Sequence, residues 1–360
     1  MALGITKMFS KNCIGIDIGT FSIKIVEVSR IGKKTKIENY IEFQVPSEED
    51  SLFKVFGDEN LLLLSDKISE IIKELLKKAK IKEKNVFLSI PDFSTFFTTF
   101  ELPSMSVSEL PKAIEFEARH HVPLPLSKVT FDWELLKDKK NIGEIREHRI
   151  LLVAVPNEVI KQYQKLAILC NLNLKGLEAE VFASMRSSIN TAENKNPVCL
   201  VDIGYKSTTI NIVKNKLLEQ SHSFDISANN LSKALVDSLK VSWQEAERMK
   251  QSFGLNPNKS DIFLALRPQI DAIFKEIESV CHSFYQSNGE KVENIIFVGG
   301  AACIPGLKEY FKVFLKKQIK SSNPFRTSNI SYPPLLEDRL DKIGPSFAIA
   351  LGLALRGVGK

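Results

Sequence analysis

Long apolar runs are missing from this chain of 360 residues. The longest, Phe347 to Leu355, Ile150 to Val155 and Leu61 to Leu64, fall far short of the roughly 18 to 20 residues that a bilayer-spanning helix needs. No transmembrane span is therefore expected. Lys7 and Lys11 precede an apolar run from Ile14, but Asp17 interrupts it and no small-residue cleavage site follows, so a secretory signal is not expected either. Ala2 and the closing Gly357, Val358, Gly359 and Lys360 match neither a myristoylation nor a prenylation motif. Cysteine is scarce, with five residues at 13, 170, 199, 281 and 303. The odd, dispersed count, with four in apolar surroundings, reads as reduced core thiols of a cytosolic protein. His120 and His121 adjoin, yet no ligand cluster repeats around them at zinc spacing. Charge of one sign is lacking too: 49 basic against 43 acidic residues leave +6, too mild a bias to imply nucleic acid as a partner.

Hydrophobic residues make up 44% and aromatics 9%, enough to build a core in each of the two to four units that the length allows. The informative feature is a repeat. Ile14-Gly15-Ile16-Asp17-Ile18-Gly19-Thr20-Phe21-Ser22 resembles Cys199-Leu200-Val201-Asp202-Ile203-Gly204-Tyr205-Lys206-Ser207, with Asp, Gly and Ser each 185 residues apart. A duplicated domain follows. In each copy a buried strand ends in Asp, a Gly-containing turn follows and a β-branched strand returns, which predicts a hairpin whose tip approaches a ligand. Such turns can wrap a phosphate with amides and hydroxyls while the Asp holds a hydrated Mg²⁺.

Between the copies, Asn85 to Ile90, Thr95 to Leu102, Val129 to Leu136 and Arg149 to Val155 read as strands around a helix near Ser108 to His121, closed by Pro123 and Pro125. Ser106 with Glu109, or Ser108, is placed to cap it. Leu61 to Lys80 reads as an amphipathic helix, and about Asn229 to Gln286 as a helical block. Trp133 and Trp243 read as packing anchors. Late in the chain a strand from Ile295 runs into Gly299-Gly300, with Gly306 following. Neither a dinucleotide GxGxxG nor a Walker GxxxxGK[ST] occurs.

In this order, two Asp-Ile-Gly hairpins, Glu247-Arg248-Met249-Lys250 and the Val-Gly-Gly turn resemble the actin-like ATPase superfamily. The opening motif, Glu115-Phe116-Glu117-Ala118 before Val122-Pro123-Leu124-Pro125, and Asp132-Trp133-Glu134-Leu135 are similar to its PilM branch, related to FtsA. The resemblance implies a two-lobed α/β, ribonuclease-H-like fold with an inserted α+β subdomain, IC. It divides the chain into lobe I (1–82, 158–196, 346–360), IC (83–157), lobe II (197–228, 291–345) and a helical insertion (229–290). ATP and Mg²⁺ are the implied ligands. Gly19, Thr20, Ser22, Lys24, Gly204, Ser207 and Thr208 would meet phosphate, Asp17 and Asp202 the metal through water, and Glu247, Lys250, Gly299, Gly300 and Gly306 the adenosine. A slow or vestigial ATPase is expected at most, with Glu178 and Glu180 as catalytic candidates. The implied role is a cytoplasmic adaptor, peripheral to the inner membrane, that binds the N-terminal tail of a PilN-like bitopic membrane protein. Pilus motor ATPases and self-association are further candidates. Membrane contact should be indirect, although Leu3, Ile5, Met8 and Phe9 within Met1 to Ser10 leave an opening for direct contact. The competing classes are an FtsA-like filament former and a small-molecule kinase.

Overall fold

Both copies of the hairpin fold alike because their strands are apolar on both faces, a pattern that needs helices on each side of the sheet. The computed structural model describes residues 11–45, 52–56, 61–64, 67–136, 148–190, 196–315, 317–328 and 330–359; Met1 to Ser10 lie outside them. The first half contains β1 (Lys11–Ile18), β2 (Ser22–Ile31), β3 (Lys34–Gln44), a short hairpin of β4 (Phe53–Phe56) and β5 (Leu61–Leu64), α1 (Ile68–Lys78) and β6 (Asn85–Ile90). It continues through β7 (Phe96–Leu102), α2 (Leu110–His121), β8 (Val129–Leu136), β9 (His148–Pro156), α3 (Asn157–Leu169), β10 (Asn173–Ala179) and α4 (Glu180–Ser188). The second half contains β11 (Val198–Ile203), β12 (Thr208–Lys214), β13 (Leu217–Phe224), α5 (Ala228–Leu239), α6 (Trp243–Ser252), α7 (Ser260–Asn288) and β14 (Asn294–Val298). There follow α8 (Leu307–Leu315), β15 (Gln318–Ser321), α9 (Pro324–Thr327), α10 (Glu337–Ile343) and α11 (Ala348–Gly357).

Two five-stranded sheets share one topology: β10-β6-β1-β2-β3 in lobe I and β15-β14-β11-β12-β13 in lobe II. In each, two antiparallel hairpin pairings are extended by two parallel strands. Ile14, Ile16, Ile18, Ile23 and Ile25 pack under α1 and α3, while Cys13, Val26 and Val28 on the opposite face meet α11. Lobe II buries Val201, Ile203, Ile210 and Ile212 against Leu231, Leu235, Ile270 and Ile273. A third sheet, β7-β9-β8, is wholly antiparallel and packs on α2 through Phe100, Ile114 and Ala118.

Between the lobes run α4 and α11. Residues 348–355 of α11 are all buried, and its backbone passes so close to its neighbours that two glycines are required. A Cβ on Gly352 would lie 1.9 Å from the Ala183 carbonyl oxygen of α4, and one on Gly15 of β1 would lie 2.0 Å from the Ala350 carbonyl oxygen. The Ser187 hydroxyl donates to the Ala348 carbonyl (2.7 Å). Val181 and Met185 on α4 then pack against Val198, Leu200 and Val298 of lobe II.

The structure corrects five sequence expectations. Leu61 to Leu64 forms a strand, and the amphipathic helix starts at Ile68; four consecutive leucines have no periodicity that separates strand from helix. The expected IC boundary of 83–157 takes in one strand too many, because β6 lies between β1 and β10 at the centre of lobe I. Phe325, Ile330 and Leu340 already pack on the lobe I sheet, and the Ser331 amide donates to the Thr35 carbonyl (2.9 Å), so the chain leaves lobe II before residue 346. The block 229–290 is a covering layer and not a separate insertion, since α5 and α7 share the core of β11 and β14. The expected cap falls a turn early: the Ser106 hydroxyl and amide donate to Glu109 at 2.6 and 2.9 Å, ahead of Leu110.

Overpacking a tight backbone contact costs typically about 1 to 3 kcal/mol. Gly352→Ala should therefore lower the urea unfolding free energy by at least about 2 kcal/mol, with backbone on the receiving side. Gly300→Ala, where a Cβ meets nothing within 4 Å, should change it by less than about 0.5 kcal/mol. Equal effects of the two substitutions would contradict this account of α11.

Candidate nucleotide cleft

The two hairpin turns are built the same way and face each other across the gap between the lobes. The Gly19 amide donates to the Ser22 carbonyl at 2.9 Å and the Gly204 amide to the Ser207 carbonyl at 3.0 Å. Both glycine amides are thus used inside the turn, which leaves the tip residues Thr20, Phe21, Tyr205 and Lys206 to line the cleft. A Cβ on Gly204 would come within 2.9 Å of the Ser207 carbonyl oxygen. The aromatic tips meet: Phe21 and Tyr205 stack with centroids 4.3 Å apart and planes 10° from parallel, and Trp243 contacts Tyr205 edge-on at 6.5 Å.

The cavity encloses about 390 Å³ and is lined by Asp17, Gly19, Thr20, Ser22, Lys24, Glu180, Asp202, Gly204, Ser207, Glu247, Lys250, Gly299 and Gly300 among others. Small-ligand sites usually span about 300 to 1,000 Å³. Lys24 points inward, donating to the Ser22 hydroxyl at 2.6 Å with Glu42 at 3.6 Å. Glu247 and Lys250 are not a solvated surface pair. Lys250 is buried and donates to Glu247 (2.7 Å), Ser232 (2.6 Å) and the Ala228 carbonyl (3.1 Å), which docks α6 on α5. Burial lowers its pKa, opposed by Glu247. Gly299 has φ +84°, and a Cβ there would lie 2.2 Å from Asp202 Oδ1, so only glycine lets the carboxylate rest on this turn.

Three expected site residues lie elsewhere. Thr208 is fully buried and its hydroxyl donates to the Ile226 carbonyl (2.6 Å); Thr209 lines the cleft instead. The registers explain this, for Thr209 stands opposite Asp202 as Lys24 stands opposite Asp17. Gly306, with φ +77°, makes a turn against the Leu255 backbone and is not among the lining residues. Glu178 is held by Arg186 (2.7 Å to each oxygen) and Arg356 (2.9 Å), with Arg186 also donating to the Gly352 carbonyl (3.0 Å). It ties β10 to α4 and α11.

A residue missed in the sequence stands behind the lining, bonded to Glu180. Asp92 follows β6, and its carboxylate accepts from the Val181 amide at the start of α4 (3.2 Å), while its own amide donates to Glu180 (3.2 Å). Ser89 of the same strand donates to Asp17 (3.0 Å) and accepts from the Ile18 amide (3.3 Å). Four carboxyls therefore gather with Lys24 as the neighbouring cation. Burial raises Asp202 to about 7, with Asp17 adding to the rise, and raises Asp92 to about 7, with Asp202 adding. Burial also raises Asp17 against the pull of Lys24 and Ser89, and raises Glu180 well above its ordinary range, reinforced by Asp17, Asp92 and Asp202. Among the described residues no three His, Cys, Asp or Glu side chains converge at metal-binding distance. A hard cation between Asp17 and Asp202 would draw its remaining ligands from water and phosphate oxygens, as Mg²⁺ commonly does. The oxygen donors fit that ion.

The sign of the pH effect follows. Between the ordinary carboxyl value near 3.9 and about 7 the folded protein holds protons that the unfolded chain has released. This contribution is complete below the lower value and is lost as pH rises through the higher one. In the absence of Mg²⁺, urea midpoints should fall from pH 5 to pH 8, and Asp202→Asn should flatten the fall. Parallel curves for the wild type and Asp202→Asn would sink the assignment.

Comparison with known proteins agrees with this architecture. The family model described as Type IV pilus assembly protein PilM matches residues 15–358. The cell division protein FtsA of Bacillus subtilis (strain 168) is 21% identical over 352 residues, covering 86% of this chain and 78% of FtsA. A solved PilM-PilN type IV pilus biogenesis complex contains a chain with TM-score 0.81 and 22% identity, covering 97% of this chain and 99% of that one. The ethanolamine utilization protein EutJ from Carboxydothermus hydrogenoformans gives TM-score 0.56 and 18% identity over 96% of this chain and 89% of its own. The fold is the two-lobed actin-like ATPase fold with its inserted α+β subdomain. Since the family match takes in both hairpins, the glycine turn and the helices that join the lobes, the chain belongs to the family of the type IV pilus assembly protein PilM.

Proposed function

We propose that this protein is a nucleotide-dependent adaptor of the type IV pilus assembly platform, or of a related secretion system, that closes its cleft on MgATP. The observation that carries the reading is the pair of matched Asp-Gly turns, 185 residues apart in sequence, that open into one cavity of about 390 Å³. Thr20, Ser22, Lys24, Ser207 and Thr209 would meet the phosphates, with Gly19 and Gly204 shaping the turns. Asp17 and Asp202 would hold hydrated Mg²⁺, and Glu247, Lys250, Gly299 and Gly300 would border the adenosine. Mg²⁺ supplies charge neutralisation there. Burial and the neighbouring Asp17, Asp92 and Asp202 make Glu180 harder to ionise, which disfavours ready proton abstraction from water and supports slow turnover.

The output is capture of the cytoplasmic N-terminal tail of a PilN-like bitopic membrane protein beside the inserted subdomain. Support comes from the family and from a structural relative solved as a PilM-PilN type IV pilus biogenesis complex. Within the subdomain, β8 is paired only with β9 among the described strands, and an open strand edge can take an extended peptide.

MgATP at a hundredfold excess over its Kd should stabilise the wild type by about 2.7 kcal/mol, read as a thermal shift. Asp17→Ala and Asp202→Ala should fold and lose the shift. No shift in the wild type, or an undiminished one in both variants, overturns the nucleotide site. In calorimetry, the tail peptide of the cognate PilN-like protein should bind more tightly with MgATP present, and the peptide should tighten MgATP by the same factor. Absence of peptide binding in either state would defeat the adaptor reading while leaving the nucleotide site standing.

A further inference from the structure

The lobe I sheet has two ends of opposite character. The cleft lies at one end, where β1 and β10 finish at Ile18 and Ala179. At the other end β1 begins at Lys11 opposite Arg30, and the β2–β3 turn pairs Ile31 with Lys34. The parallel strands β6 and β10 also start there, with the Asn173 amide donating to the Lys84 carbonyl at 2.7 Å. The two helices on this face empty into the same rim, α1 through Lys77, Lys78 and Lys80 and α3 through Lys165, Ile168 and Leu169.

This rim is cationic and carries apolar tips. Lys33, Lys34, Lys80, Lys82, Lys84 and Lys175 are all exposed. Glu38 accepts from Ser29 (2.6 Å) and Lys36 (2.9 Å), and Glu83 accepts the Lys84 and Asn85 amides (2.8 and 2.7 Å), so both carboxylates turn to local partners. Among these lysines stand Ile31, Ile168 and Leu169, exposed by 51, 77 and 48%. Lysines at helix ends are often explained by the helix dipole. That accounts for α1 but not for Lys33 and Lys34 on a β-turn, nor for the exposed Ile31 beside them.

We infer that the rim of lobe I opposite the cleft, with Lys33, Lys34, Lys84 and Lys175 around Ile31, Ile168 and Leu169, docks directly on an anionic phospholipid surface. Flexible ammonium groups in number suit a field of headgroup charge, and isolated aliphatic tips suit shallow entry into the acyl boundary. Nucleic acid is disfavoured because the exposed apolar groups here are aliphatic and offer no stacking platform. Such docking adds a direct contact to the indirect one expected from the tail of a membrane partner, and does not depend on the nucleotide reading.

The test is co-sedimentation of the full chain with phosphatidylglycerol-rich vesicles against pure phosphatidylcholine vesicles. Binding should require the anionic lipid and weaken as salt rises. Lys33→Glu with Lys34→Glu should reduce it about tenfold or more, and Ile168→Ser with Leu169→Ser should reduce it at unchanged net charge. The control Lys233→Glu with Lys240→Glu, exposed on α5 and just after it in lobe II, should bind as the wild type does. If the Ile168 and Leu169 variant fails to fold, the β-turn pair and its control decide alone. Equal binding to neutral vesicles, equal loss in the lobe II control, or equally strong binding to double-stranded DNA would each overturn the proposal.

Discussion

The close crossing of α11 over α4 and β1 is the contact on which the rest of the molecule depends. Two sheets of matching topology do not make a cleft unless something fixes their angle. Here that part is a wholly buried helix admitted by Gly15 and Gly352, where any side chain would strike backbone. Main-chain contact is stiffer than contact through side chains, because no rotamer can give way. Glu178, Arg186 and Arg356 add a charged clasp that ties β10 to α4 and α11. With the crossing set, the two hairpin tips arrive face to face, and their stacked Phe21 and Tyr205 rings mark how near the lobes stand.

That geometry forces an electrostatic conflict. Asp17, Glu180 and Asp202 line the cleft with Asp92 buried behind them and Lys24 as the nearby balancing charge, and burial makes each carboxyl harder to ionise. A fold that served stability alone would not gather four carboxyls there. The conflict can be relieved by protons or by a divalent cation, and the two compete for the same oxygens. Cation binding at Asp17 and Asp202 would therefore draw the lobes together, which is how occupancy of a small cavity can alter a surface elsewhere on the molecule.

What the sequence made legible was the part that is local. The Asp-Gly-Ser spacing repeats because each hairpin turn is closed by one hydrogen bond between residues three apart, and that constraint is written in consecutive residues. The same repeat held an unused signal: carried at constant offset, the partner of Lys24 is Thr209, and choosing Thr208 placed the side chain on the wrong face of the strand. Asp92, the membership of β6 and the return of the chain near Phe325 were hidden for another reason. Each depends on which distant strand or helix lies alongside, and a parallel strand buried on both faces reads the same wherever it is inserted. Gly306 and Glu178 were misplaced because a glycine turn and a buried ion pair look alike in sequence whether they serve a ligand or a neighbouring helix.

The polarity of lobe I links these elements. Parallel strands place their carboxyl ends, and hence the cleft, on one side and their amino ends on the other. The inserted sheet leaves the core from the end of β6 and rejoins it at the start of α3, so it belongs to the cleft side. The lysine rim belongs to the far side, separated by the length of β1, whose 8 residues span about 25 Å. If the rim rests on a bilayer while the inserted sheet holds a membrane partner's tail, that tail must run at least the thickness of the sheet. An extended chain gains about 3.3 Å per residue, so roughly eight residues are needed before the first contact with the subdomain. If such a tail is unstructured before it binds, ordering it is costly, and cleft closure that shaped the receiving edge in advance would reduce that cost.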